Sequence, residues 1–267
     1  MIKFSSMICL LSMCVFMIFS ASIAYSYSGA QATCMRADPP PNIDGTVSPG
    51  EWGEGIYIDK SVTLKGEANY NGYGNCYSPE FITDADDISG TIYCLWDDQK
   101  LYLAVEVTDD DFVFENASGW DNDCAEIRFS PDGTSVVGLW ITPSFSSGGP
   151  GWYWNNELNG ATATEEAPLI EATIGANGYE WEVAIPLDHE AIAGVDPSAG
   201  KVVGYTVSLG DHDVGGAEYS MPCWSLNPDS WGWDIPFWGE VTFSSEVLAA
   251  LSPCSKLAST WSFVKTR

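Results

Sequence analysis

Eight short runs rich in β-branched and aromatic residues recur along this chain, centred on 90–97, 100–109, 124–130, 136–142, 168–175, 178–185, 201–210 and 238–244. Gly, Asn, Asp and Pro stand between them. Regular short strands with turn punctuation predict an all-β sandwich or barrel. Between Ile174 and Tyr179 the sequence Gly175-Ala176-Asn177-Gly178 marks a hairpin, since Asn-Gly supplies the positive φ angles such a turn needs. Helix is scarce: one turn is expected over Asp188 to Ala193, and a short piece over Ser244 to Leu251. Two long connections stand out, Asp59 to Ser89 and Pro143 to Gly160, the second carrying Trp152, Tyr153 and Trp154 among glycines. Long loops in a compact domain tend to be binding loops.

Residues 1–24 have the form of a secretory signal, with Lys3 at the start, an apolar stretch from Ile8 to Phe19, and Ser22-Ile23-Ala24 as a small-residue cleavage site. The stretch is short for a membrane span of about 20 residues. A secreted location, extracellular or periplasmic, is therefore expected, with no membrane association after cleavage. Residues 25–41, closing in three prolines, read as a linker or entry strand. About 240 residues remain after the signal, enough for one large sandwich and too few for two comfortable domains. That domain is placed at 42–244, with a C-terminal extension at 245–267. The chain carries 10 Lys+Arg against 37 Asp+Glu. So acidic a surface repels nucleic acid and anionic lipid and disfavours acidic polysaccharide. Neutral glycans and cations remain compatible. Two of the 8 cysteines leave with the signal; Cys34, Cys76, Cys94, Cys124, Cys223 and Cys254 stay, an even number in an exported chain, which predicts disulfides of undetermined connectivity. No cysteine pair has the spacing of a zinc knuckle.

The richest motif is Gly119-Trp120-Asp121-Asn122-Asp123-Cys124-Ala125-Glu126-Ile127-Arg128-Phe129, a loop delivering an indole and carboxylates before a strand. An indole can lie against the C–H face of a sugar, while carboxylates accept hydrogen bonds from its hydroxyls. Upstream lie Asp44-Gly45 followed by Trp52, then Leu95-Trp96-Asp97-Asp98 with Leu101-Tyr102. Downstream is a late loop with Trp224, Trp231 and Trp233 ahead of Phe237-Trp238-Gly239. In this order the pieces resemble a family 9 carbohydrate-binding module, from about Asn42 to Phe243. The resemblance implies a secreted antiparallel β-sandwich, jelly-roll or immunoglobulin-like, that binds neutral polysaccharide or oligosaccharide without catalysis. It also points to an exported glycoside hydrolase as a candidate partner.

By the same resemblance Trp120 and Trp231 are the two walls of a slot holding a sugar chain end, with Trp233 a close rival to Trp231. Glu126 and Asn227 are the polar residues that grip the sugar. Trp120 and Glu126 are six apart, which puts them on one side of an extended chain. The family's arginine on the following strand has no counterpart in 135–142, so either Trp140 contributes to the site or the ligand differs. Acidic loops suggest structural Ca²⁺, whose hard-oxygen preference they suit. Asp123 is the first candidate, with Asp121, Asp109 and Asp111; the runs Asp84 to Asp87 and Asp211 to Asp213 are further possibilities. The alternative function is a haem-carrying electron-transfer domain, using Met35 or Met221 with His189 or His212. A third is a glycoside hydrolase with paired carboxylates.

Overall fold

A computed structural model of the chain describes residues 30–59, 76–77, 81–114, 121–144, 148–158, 161–165, 169–213, 219–225 and 233–248. Its strands are β1 (Gln31–Arg36), β2 (Ile56–Asp59), β3 (Cys76–Tyr77), β4 (Ile88–Trp96), β5 (Lys100–Asp109), β6 (Cys124–Ser130) and β7 (Val137–Thr142). They continue with β8 (Gly151–Asn156), β9 (Ala161–Glu165), β10 (Ile170–Ile174), β11 (Gly178–Pro186), β12 (Val202–His212), β13 (Tyr219–Pro222) and β14 (Gly239–Val247). Single 3-10 turns lie at Glu190–Ile192 and Ile235–Phe237. Among the described residues no helix is long and apolar enough to cross a membrane.

The strands form an all-β sandwich hydrogen-bonded as one continuous sheet in the order β10-β11-β5-β4-β1-β14-β12-β6-β7-β8-β9. One layer is β10-β11-β5-β4, extended by β2 on the edge of β4; the other runs from β14 to β9. Between them β1 pairs parallel with both β4 and β14, whereas the remaining pairings are antiparallel. The layers meet closely: a Cβ on Gly90 of β4 would come 3.1 Å from Leu209 Cδ1 of β12. Leu103, Val105, Ile127, Phe129, Leu139, Trp181 and Leu209 are all in the core between them. A smaller cluster of Trp52, Val47, Leu95, Tyr102 and Ala104 covers the outer face of β4 and β5. With both faces of β5 buried here, the run Leu101 to Val105 is continuously apolar rather than alternating.

The opening motif latches this outer cluster. The buried Glu182 carboxylate of β11 accepts hydrogen bonds from Trp52 Nε1 at 2.8 Å, Asp44 N at 2.8 Å and Gly45 N at 2.9 Å. Gly45 has a φ of +82°, and a Cβ there would meet the Ala172 backbone N at 2.8 Å. Asp44-Gly45 and Trp52 thus serve packing.

Two local expectations are corrected. The connection 143–160 contains β8, because Trp152 and Trp154 alternate inward, 0% and 3% exposed, while Tyr153 faces the other way. Those residues are a strand with two useful faces, not a loop. The helical piece over Ser244 to Leu251 is instead extended as far as Val247, which pairs with Arg36 of β1. The segment 25–41 contains β1, an interior strand of the sheet. The hairpin at 175–178 forms with Ile174 opposite Tyr179, and Gly175 N donates to Gly178 O at 2.8 Å. Of its Asn-Gly pair, only Gly178 has a positive φ, +135°.

Candidate functional site

Strand β6 carries opposite chemistry on its two faces. Ala125, Ile127 and Phe129 point into the core, while Glu126 and Arg128, two residues apart, share the outer face. Their neighbours in register extend this face: Trp140 stands opposite Glu126, Gly138 opposite Arg128, Tyr153 opposite Trp140 and Asn155 opposite Gly138. A cavity of about 480 Å³ opens over them, lined also by Asp121 before β6, His212 and Tyr219 of the β12–β13 pair, and Trp233 of the late loop. Folding of β6, β7 and β8 side by side is therefore enough to assemble the floor and one wall.

At that floor Arg128 Nη2 donates to Glu126 Oε2 as a buried ion pair. Ser208 Oγ of β12 stands 3.5 Å from the same oxygen. The guanidinium also lies against two indoles, 5.1 Å from the Trp233 ring centre and 5.3 Å from that of Trp140. These rings are 5.9 Å apart, and Trp140 packs on Tyr153 at 5.3 Å. Gly138 leaves room for this arrangement, since a Cβ there would meet the Trp140 ring at 3.0 Å. Arg128 Nε and Nη1 are buried without a hydrogen-bond partner. Buried donors left unmet cost roughly 1–3 kcal/mol each, so the floor is built to receive acceptors. On the far side His212 stacks on Tyr219 with ring centres 4.4 Å apart. Burial pushes the Tyr219 phenol well up, and the Glu126 carboxylate adds to this, so it stays a neutral hydroxyl.

Of the residues expected at a sugar site, Glu126, Trp140 and Trp233 come together here. Trp120, Trp231 and Asn227 lie outside the described residues. Arg128 was missed from the sequence. Its signal was a charged pair, Glu126 and Arg128, at alternate positions of an otherwise apolar strand.

Behind the pocket is an acidic cluster. Carboxylate oxygens of Asp109 at the end of β5, Asp123 before β6 and Asp211 of β12 lie within 4.8 Å of one another, all buried. Asp123 Oδ1 accepts from His212 N at 2.7 Å and its Oδ2 accepts from Val113 N. Asp109 Oδ2 and Asp211 Oδ1 are buried without a partner. Burial, reinforced by the neighbouring carboxylates, pushes Asp123 up to about 9 and Asp109 and Asp211 up to about 7. Of the acids expected to hold metal, Asp109 and Asp123 are thus joined by Asp211. Asp121 sits in the pocket instead, and Asp111 contributes a backbone N–H to Asp109 Oδ1 at 3.0 Å. Asp87, Asp110 and Asp213 form an adjoining group.

The histidine and methionine placements bear on the haem alternative. His189 packs on Trp152, and Met221 is fully buried, with Tyr219 Oη 3.4 Å from its sulfur. Met35 lines a separate groove that has no histidine among its described residues.

Fold and pocket together define a β-sandwich with a cavity on the outer face of one layer. The chain belongs to the carbohydrate family 9 binding domain-like family, whose profile matches residues 65–246. Among solved structures it is similar to a family 9 carbohydrate-binding module from Caldicellulosiruptor kristjanssonii in complex with cellotriose. The two are 18% identical, with a TM-score of 0.51, covering 84% of this chain and 98% of that one. A family 9 module of the same organism in complex with glucose is 18% identical with a TM-score of 0.46, covering 81% and 97%. No curated protein matches the chain.

Proposed function

We propose that this chain is an exported, non-catalytic domain that binds neutral oligosaccharide in the pocket over Glu126 and Arg128. The observation that carries the reading is the floor itself: an ion pair with unmet N–H donors, flanked by the flat faces of Trp140 and Trp233. Aromatic faces take the C–H side of a sugar ring, and donors and acceptors around them take its hydroxyls. Trp120 adjoins Asp121 in the chain and Trp231 is two residues from Trp233, so both are candidate walls beside this floor. The solved module similar in fold at a TM-score of 0.51 holds cellotriose, which makes glucans the first ligands to try. An exported glycoside hydrolase is the partner such a domain would serve.

We assign the Asp109–Asp123–Asp211 cluster to a structural Ca²⁺. Hard oxygen donors from three buried carboxyl groups, two of them with an unpartnered oxygen, suit that ion. Bound there, it would neutralise the carboxylates. Asp123 and Asp211 would thereby fix the chain on both sides of the pocket, since Asp121 and His212 are their near neighbours.

Titration calorimetry with cellotriose, glucose and a panel of neutral oligosaccharides tests the reading. Binding is expected, weakened at least about tenfold, or 1.4 kcal/mol, by Trp140→Ala and by Trp120→Ala, with the circular dichroism spectrum unchanged. Failure to bind any neutral glycan at millimolar concentration overturns it. A Soret band on the purified protein would favour the haem alternative.

A further inference from the structure

Among the described residues, the backbone ladder that carries the sheet from one layer to the other runs through β1, and that seam is thin. Against β14, β1 has five paired positions; against β4 it has Met35 with Leu95 and Arg36 with Trp96, followed by Ala37 N to Trp96 O at 2.8 Å. One residue before that short ladder, on each strand, stands a cysteine: Cys34 and Cys94. Their side chains are in hydrogen-bonding contact, and both are thiols in this structure. Cys34 is completely buried. Cys94 is half-buried and lines a groove of about 470 Å³ bounded by Gln31, Thr33, Glu54, Tyr57, Tyr205 and Trp224. The groove exists because β1 leaves β4 at this point to follow β14, while β2 takes the edge of β4. At its base the Tyr205 hydroxyl is buried without a hydrogen-bond partner.

We propose that Cys34 and Cys94 are a disulfide-forming pair that bolts the two layers of the sandwich together at β1. The groove gives an oxidant access to Cys94 while Cys34 waits behind it. With a small-molecule disulfide such as oxidised glutathione, the Cys94 thiolate attacks one sulfur and expels one thiol. The Cys34 thiolate then attacks the Cys94 sulfur of the mixed disulfide and expels the second. Two protein thiols lose two protons and two electrons to form one S–S bond, and the reagent leaves as two thiols. The order follows from access, and burial, which pushes the Cys34 thiol well up, makes it the poorer first nucleophile. The bond adds a covalent tie where the hydrogen-bonded ladder has only two paired positions.

The full chain, purified under reducing conditions and then exposed to oxidised glutathione at pH 8, is mapped by mass spectrometry without reduction. A Cys34–Cys94 peptide pair two hydrogens lighter than the dithiol is expected, with both residues lost from alkylation and neither joined to Cys124 or Cys223. The Tm of the oxidised protein should exceed that of the reduced protein by roughly 4–10 °C, and this gain should vanish in Cys94→Ser. Cys34 and Cys94 both alkylated after native oxidation, or either joined to another cysteine, overturns the proposal. Should Cys94→Ser fail to fold, the wild-type peptide map alone decides.

Discussion

The most consequential single residue in the pocket is Arg128, since it joins the ion pair to the aromatic wall. Removing one partner of a buried pair leaves an uncompensated charge, costing about 3–5 kcal/mol, whereas replacing both with well-packed groups is often close to neutral. Arg128→Ala should therefore lower the urea midpoint strongly, and Arg128→Met with Glu126→Gln should recover most of that loss. Both variants should lose sugar affinity, which separates the stability role from the binding role. If Arg128→Ala unfolds at the wild-type midpoint, the pair is solvated and the floor described above is wrong. Glu126 was readable from its place in the motif. Arg128 was not, because its importance depends on Trp140 and Trp233 meeting over it.

At the level of elements, the hairpin between β10 and β11 shows how far local chemistry reaches. Gly175 and Gly178 look equivalent in sequence, yet their surroundings differ. A Cβ on Gly178 would sit 1.9 Å from Val107 O of β5, at a φ of +135°. A Cβ on Gly175 would meet only Gly178 O at 3.4 Å. Gly178→Ala should thus cost about 1–3 kcal/mol or more, as overpacking against backbone does, while Gly175→Ala stays within about 0.5 kcal/mol, as ordinary surface changes do. Urea unfolding with an unchanged slope is the measurement; equal costs would refute the close approach of β11 to β5. The same contrast explains β8. Its Gly-flanked Trp152, Tyr153 and Trp154 resemble a binding loop in isolation, and they become a strand because β7 offers a ladder and the core accepts two indoles.

Across the whole molecule, the acidic cluster links three distant stretches of chain and makes stability depend on pH and, under the proposed Ca²⁺ assignment, on cation. In the metal-free protein Asp109 and Asp211 are raised to about 7 and Asp123 to about 9, against an unfolded value of 3.8. The folded state then holds more protons than the unfolded one between those limits, so its stability falls as pH rises from about 4 towards 9. In chelator, Tm should fall between pH 5 and pH 8. Millimolar Ca²⁺ should restore it, more at pH 8 than at pH 5, because the ion favours the ionised carboxylates. A Tm at pH 8 indifferent to Ca²⁺ and to Asp123→Asn would remove the cation assignment. The sequence by itself determined eight of the strands, β4 to β7, β10 to β12 and β14, and where the hairpin of 175–178 turns. Those features rest on period-2 patterning and turn chemistry, while the place of Glu126 beside indoles came from the family resemblance. Only the tertiary structure decided that β1 threads between β4 and β14, that Asp211 completes the cluster with Asp109 and Asp123, and that Arg128 underlies two tryptophans. Alternation says which residues share a face of a strand, but which strands lie side by side is settled by burial and pairing across the whole chain.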